Sequence, residues 1–142
     1  MTIIRIVLAA IQGAGALLSG YIATSTITKR PSHLSPYLAV FAFGLAWWSL
    51  FQAFELIAET PGMSLFWTAM KYPGVQVSVL MLTAISFGLA FAPRRIPRLV
   101  WLCLIIIPII TVILGFTNHL HALMWQDFQI TNQGLPSFTQ GP

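Results

Sequence analysis

The chain has 142 residues, of which 57% are hydrophobic and only 7% charged, with a formal net charge of +4. A soluble domain of this size carries about a quarter charged residues, so this composition excludes a water-soluble globular protein and points to an integral membrane protein. The positive charge is then a question of which loops carry it, and without a basic stripe interleaved with stacking aromatics nucleic-acid binding is excluded as well.

A bilayer-crossing helix needs roughly 20 apolar residues, and four stretches supply them. The first runs over 6–27 and is longer than the apolar core of a signal peptide, so it is read as a retained span. Its end carries "KRPSHLSP", with Lys29 and Arg30. The second covers 37–57 and stops at "ETPG"; the third covers 65–91 and stops at "APRRIPR"; the fourth covers 99–116. Proline and glycine in these breaks end each helix. The expected fold class is all-α integral membrane, with a four-helix domain over 1–128 and a polar tail over 129–142. A polar Gly/Pro tail of that kind is ordered only when something ties it down.

Five of the seven basic residues lie in two loops: Lys29 and Arg30 after the first span, and Arg94, Arg95 and Arg98 after the third. Positive residues concentrate on the cytoplasmic side. The N-terminus and the tail are therefore expected outside and both basic loops inside, with Arg5 the dissenting charge. Counting about 20 residues from the inner end of each span puts Glu55, Lys71, His119 and His121 at one depth, near the outer interface.

Few residues offer chemistry. Cys103, the one cysteine, has no partner for a disulfide or a zinc site. A b-type haem wants two histidines at matching depth on facing helices, and a thickness of about 30 Å separates His33 from His119 and His121. Those two, two residues apart, point to opposite sides of a helix, and only Asp127 offers a third ligand. No metal, no cofactor and no catalytic constellation is expected. Ser19, Ser49, Ser78 and Ser86 read as interhelical hydrogen-bond residues. Ionisable residues within spans are costly and are usually paired; Glu55 and Lys71 either form an ion pair, extended inward by Gln52, or snorkel separately to the headgroups. Gly13, Ala16 and Gly20 form a small-residue stripe that permits close helix packing, within the bundle or against a partner. Trp47, Trp48 and Phe51 lie in the middle of the second span, where tryptophan is unusual. They mark a surface for lipid, pigment or another protein, with Phe41, Gly44, Trp48 and Phe51 on one face and Phe43, Trp47 and Phe54 on another. Trp125 stands where an interfacial anchor belongs.

Three segments in order resemble one known family. "AWWSLFQAFELIAET" is similar to its Trp-containing helix with an acidic outer end, through Trp48 and Glu55. "FWTAMKYPGVQ" resembles the entry to its third helix, through Lys71, Tyr72 and Gly74. "IIIPIITVILGFTNHLHALMW" resembles its fourth helix and the loop after it, with Pro108, Thr117, Asn118, His121 and Trp125 in register. The family is the N-terminal seven-helix membrane region of bacterial histidine kinases, and the resemblance covers Leu8 to Phe128. The most specific piece is TNxxHxxxW. One departure is the proline of the third helix, which here is Pro73, near the entry rather than farther inside.

The resemblance implies a sensory membrane domain whose kinase output follows a seventh helix. Only four crossings are present, with no phosphoacceptor helix or ATP-binding segment, so the chain is expected not to be an enzyme: either a fragment, or a sensor half put to another use. The resemblance also gives Asn118 and His121 a part in an outer turn, with His119 incidental. Two functions follow. One is a noncatalytic sensor or ligand-binding module of the bacterial inner membrane, acting through a partner, with Glu55, Lys71, Asn118 and His121 as its outer-face site. The other is an accessory subunit of a respiratory or photosynthetic membrane complex. Either way the expected partners are the lipid bilayer and other membrane-protein subunits.

Overall fold

The computed structural model describes residues 3–29, 32–90, 97–130 and 136–140. Its long elements are α1 (Ile3–Lys29), α2 (Ser35–Ile57), α3 (Pro61–Ala90) and α4 (Arg98–Phe116). All four are long and apolar enough to cross a membrane, and the chain is a multi-pass membrane protein. A short helix α5 (Asn118–His121) and two strands, β1 (Trp125–Ile130) and β2 (Pro136–Gln140), follow. Of the residues named from the sequence, Arg30, Phe91, Arg94 and Arg95 lie outside the described residues.

Helix boundaries follow local chemistry. α3 starts at Pro61 rather than Leu65 because Thr60 caps it: its hydroxyl accepts the Met63 N–H at 3.2 Å, and proline suits the first helical position. This extra turn places Pro73 well inside α3. The polar end of α1 stays helical because its hydroxyls turn back on their own helix: Thr24, Ser25, Thr26 and Thr28 each donate to a carbonyl three or four residues earlier.

The four helices stand as a row rather than a closed bundle: α2 packs on α1 and on α3, and α4 leans on α3. At the end of the molecule that carries Lys29, α4 also reaches α2, where Tyr37 stacks on Trp101 with centroids 6.4 Å apart. The interior is small and polar. Ala39, Ala42, Ala53, Ala69, Ala84, Ser64, Thr68 and Ser78 are buried, while Leu, Ile and Val side chains face outward on every long helix. In lipid such an arrangement is expected, since large apolar chains gain nothing by turning inward and small residues let backbones approach.

α2 and α3 cross with their backbones in close contact. A Cβ on Gly44 would stand 2.9 Å from the Gly74 carbonyl, and one on Gly74 would stand 2.7 Å from the Gly44 carbonyl and 2.8 Å from the Trp48 nitrogen. Close helix packing inside this chain therefore rests on Gly44 and Gly74, not on the Gly13–Ala16–Gly20 stripe. A Cβ on Gly13 or Gly20 would meet nothing within 4 Å.

Beside this crossing the rings form one ladder. Phe43, Trp47, Phe51 and Phe54 of α2 touch in turn, and Phe51 and Phe54 both pack on Trp67 of α3. This corrects the division into two faces, since Phe51 belongs with Phe43 and Trp47. Trp47 and Phe51 are half-buried in this ladder, and Trp48 is 41% exposed. Pro73 has no N–H to bond the preceding turn and pushes it aside, and the Trp47 indole donates to the Met70 carbonyl there at 2.8 Å.

Beyond α5 the chain forms two strands. β1 and β2 pair antiparallel, Trp125 opposite Gln140 and Ile130 opposite Pro136, with a register shift between Gln126 and Gln129. This strand pair follows the all-helical membrane domain as an addition to it, and β1 touches α3.

The crossing predicts a contrast between two glycines. Gly74→Ala forces two backbones apart and should cost about 1–3 kcal/mol, as overpacking does. Gly20→Ala should change stability by no more than about 0.5 kcal/mol. Thermal unfolding of the two variants in the same detergent measures the difference.

Candidate functional site

The candidate site lies at the junction of α2 and α3. Glu55 is on the last turn of α2, and Lys71 comes one helical turn past Trp67 on the antiparallel α3. The Lys71 ammonium donates to Glu55 Oε2 at 2.5 Å and to Gln52 Oε1 at 3.1 Å. Glu55 is 2% exposed and the Lys71 side chain 17%. Of the two arrangements open on sequence, the structure has the ion pair. Its burial matters more than its length. A charge this deep is tolerable only while its partner is present, because removing one member strands the other in a medium that cannot solvate it.

A third charge joins this end, and sequence reasoning missed it. Arg5, in the first turn of α1, is 7% exposed. Its Nε donates to the Leu56 carbonyl at 2.7 Å and its Nη2 to the Ala58 carbonyl at 2.5 Å. Those carbonyls are among the ones that the end of α2 leaves without an intrahelical donor, and the negative end of the helix dipole favours a cation there. The planar, multi-donor guanidinium suits this double contact. The available signal was the disagreement itself: a lone arginine at the wrong end of a charge-sorted chain needs acceptors, and a helix end is where spare acceptors are found.

The second group of residues is the turn after α4. Thr117 Oγ1 donates to the Ile113 carbonyl at 2.7 Å and lies 3.0 Å from His121 Nε2. His121 Nδ1 accepts the Leu123 N–H at 3.1 Å. One tautomer satisfies all three contacts, the neutral ring with its proton on Nε2, donating to Thr117. Asn118, buried, accepts the Met124 N–H on Oδ1 at 2.7 Å, and its own carbonyl accepts the Ala122 N–H at 2.7 Å. Ala122 takes a left-handed conformation, φ 50°, to make the reversal. Threonine, asparagine and histidine of the TNxxHxxxW segment thus hold one tight turn that leads the chain from α4 into β1. Sequence reasoning gave Asn118 and His121 this place. The side chains of His119 and Trp125 lie outside the described residues; the Trp125 backbone opens β1.

The structure therefore joins Glu55, Lys71 and Gln52 by direct contact, adds Arg5 to the same helix end, and places Asn118 and His121 in a turn at that end of the molecule. Among the described residues no group of three His, Cys, Asp or Glu side chains comes together to hold a metal. What the arrangement offers is a buried charge pair that fixes α2 against α3 and that a polar ligand could compete for; it offers no nucleophile beside a base.

A family model described as the N-terminal 7TM region of histidine kinase matches residues 12–142. The chain belongs to this family. Comparison with curated proteins and comparison with solved structures give no match.

Arg5→Met should leave two carbonyls at the end of α2 without their donor and lower stability by about 1–3 kcal/mol, the cost of unsatisfied buried polar groups. Hydrogen exchange would show the loss at the last turn of α2 and the first turns of α1, with α4 unchanged.

Proposed function

We propose that the chain is a noncatalytic sensory module of the bacterial cytoplasmic membrane. It receives its signal at the Glu55 end and passes it to a partner protein or to further membrane helices. The observation that carries this reading is the buried Glu55–Lys71 pair with Gln52, in a chain whose family is a sensor region and not a catalytic kinase domain. Ionisable residues held inside a membrane bundle mark functional sites by default.

The charge distribution supports an orientation with this end outside. Among the described residues, Lys29 and Arg98 stand at the opposite end, as on a cytoplasmic face. Arg5, the dissenting charge, is bonded to the end of α2 and no longer counts as a free cation there. The site would then consist of Glu55 and Lys71, with the Asn118–His121 turn as its neighbour. A polar ligand that competes for either charge would release α2 from α3. Lys71 stands two residues before Pro73, where α3 lacks a main-chain hydrogen bond and bends at low cost. The motion would run on to the apolar cavity of about 320 Å³ between Pro73, Val77 and Leu80 of α3 and Ile105, Pro108 and Ile109 of α4. α4 presents Leu99, Leu102, Ile106, Ile107 and Ile110 outward, a face for helices or subunits that carry the output.

Purification of the full chain from crosslinked native membranes in mild detergent, with mass spectrometry and an absorption spectrum, tests the reading. A colourless complex in fixed proportion with a protein bearing a signalling output domain is the expected result. Fixed proportion with a pigmented or redox complex would overturn it in favour of an accessory subunit.

A further inference from the structure

At the end of the molecule opposite Glu55, α1 and α2 diverge around a recess of about 350 Å³, within the ~300–1,000 Å³ range of small-ligand pockets. We propose that this recess binds the phosphate of an anionic lipid headgroup through Lys29 and Tyr21.

Three observations carry the assignment. The first is charge. Glu55, Glu59 and Asp127 are the chain's three acidic residues. Glu55 and Glu59 stand where α2 gives way to α3, and Asp127 lies in β1, beyond the far end of α4. Among the described residues the Lys29 end thus has Lys29 and Arg98 and no acidic side chain, which leaves room for a counter-charge from outside the chain. The second is the set of donors. Lys29 gives one hydrogen bond to the Tyr21 hydroxyl at 3.3 Å and lies 5.6 Å from that ring's centroid. This holds the ammonium at the recess with protons left to donate, and the tyrosine keeps its own hydroxyl proton. Ser25 and Thr26, also in the lining, turn their hydroxyls to the Ile22 carbonyl, which leaves Lys29 and Tyr21 as the α1 donors the recess presents. The third is the wall. Leu34 and Leu38 line the α2 side together with Ser32 and Ser35, whose hydroxyls bond each other, and Leu34 is backed by the end of α3, where a Cβ on Gly88 would stand 2.9 Å from Leu34 Cδ2. Cation and hydroxyl beside a leucine wall match a phosphate joined to an acyl-bearing glycerol. Basic pockets between membrane helices at the interface bind lipid headgroups on the same physical grounds.

Native mass spectrometry of the full chain in mild detergent, with equal amounts of phosphatidylglycerol and phosphatidylcholine, tests the site. Wild type should retain phosphatidylglycerol preferentially. Lys29→Gln should cut that preference by about fivefold, the size of one lysine's contribution near an anionic headgroup. Tyr21→Phe should cut it less, and Lys29→Arg should retain it. Arg98→Gln, which removes an exposed cation at the same end, should leave it unchanged. Equal retention of the two lipids would overturn the proposal. So would an Arg98→Gln loss as large as that of Lys29→Gln, which would signify diffuse surface charge. Displacement of the lipid by millimolar inorganic phosphate would overturn the lipid assignment in favour of a soluble anion.

Discussion

Everything else in this structure depends on how closely α2 can approach α3. Two glycines, Gly44 and Gly74, set that distance, because a side chain on either would meet backbone at under 3 Å. Once the helices are this close, Lys71 reaches Glu55 and Gln52, the Trp47 indole reaches the Met70 carbonyl, and Phe51 and Phe54 reach Trp67. None of these contacts survives a wider crossing. In a bilayer no hydrophobic force drives one helix against another, so close approach and polar contacts supply the cohesion. The buried surface accordingly consists mostly of alanine, serine, threonine and glycine, with Leu56, Arg5, Asn118 and the ion pair's Glu55 buried besides.

The three charges at that end form a connected system. Arg5 fastens α1 to the terminal carbonyls of α2; Glu55, on the same turn of α2, fastens it to α3 through Lys71. α1, α2 and α3 are thus joined near a single helix terminus, while α4 leans on α3 with most of its surface uncovered. A sensor needs one part that holds and another that gives, and the division here falls between the tied end of α2 and the proline-bearing stretch of α3 facing α4.

Much of this was legible in the sequence. The four spans follow from hydropathy and from proline and glycine in the breaks. Equal depth and opposite sign brought Glu55 and Lys71 together as one of two arrangements, and Asn118 and His121 were placed in a turn by the pattern around them. The rest was hidden for physical reasons. Gly44 and Gly74 look like any glycines in an apolar helix, because a crossing point depends on the relative rotation of two helices, which a single sequence does not encode locally. Gly13, Ala16 and Gly20 make a better stripe on paper yet face open space at both glycines. Arg5 was discounted because charge counting treats every cation as free in its loop, whereas this one is engaged by a helix end. The hairpin of β1 and β2 was missed because a short polar strand carries little apolar alternation, and its order comes from pairing with its own tail.

The central claim is that the Glu55–Lys71 pair acts as a unit across the α2–α3 crossing. A double-mutant cycle tests it most directly: Glu55→Gln, Lys71→Met and the two together, each unfolded reversibly in the same detergent. Either single change should cost about 3–5 kcal/mol, as for the loss of one partner of a buried pair, and the double variant far less than their sum. Single effects that add within about 0.3–0.5 kcal/mol would show two independent interfacial charges and contradict the account.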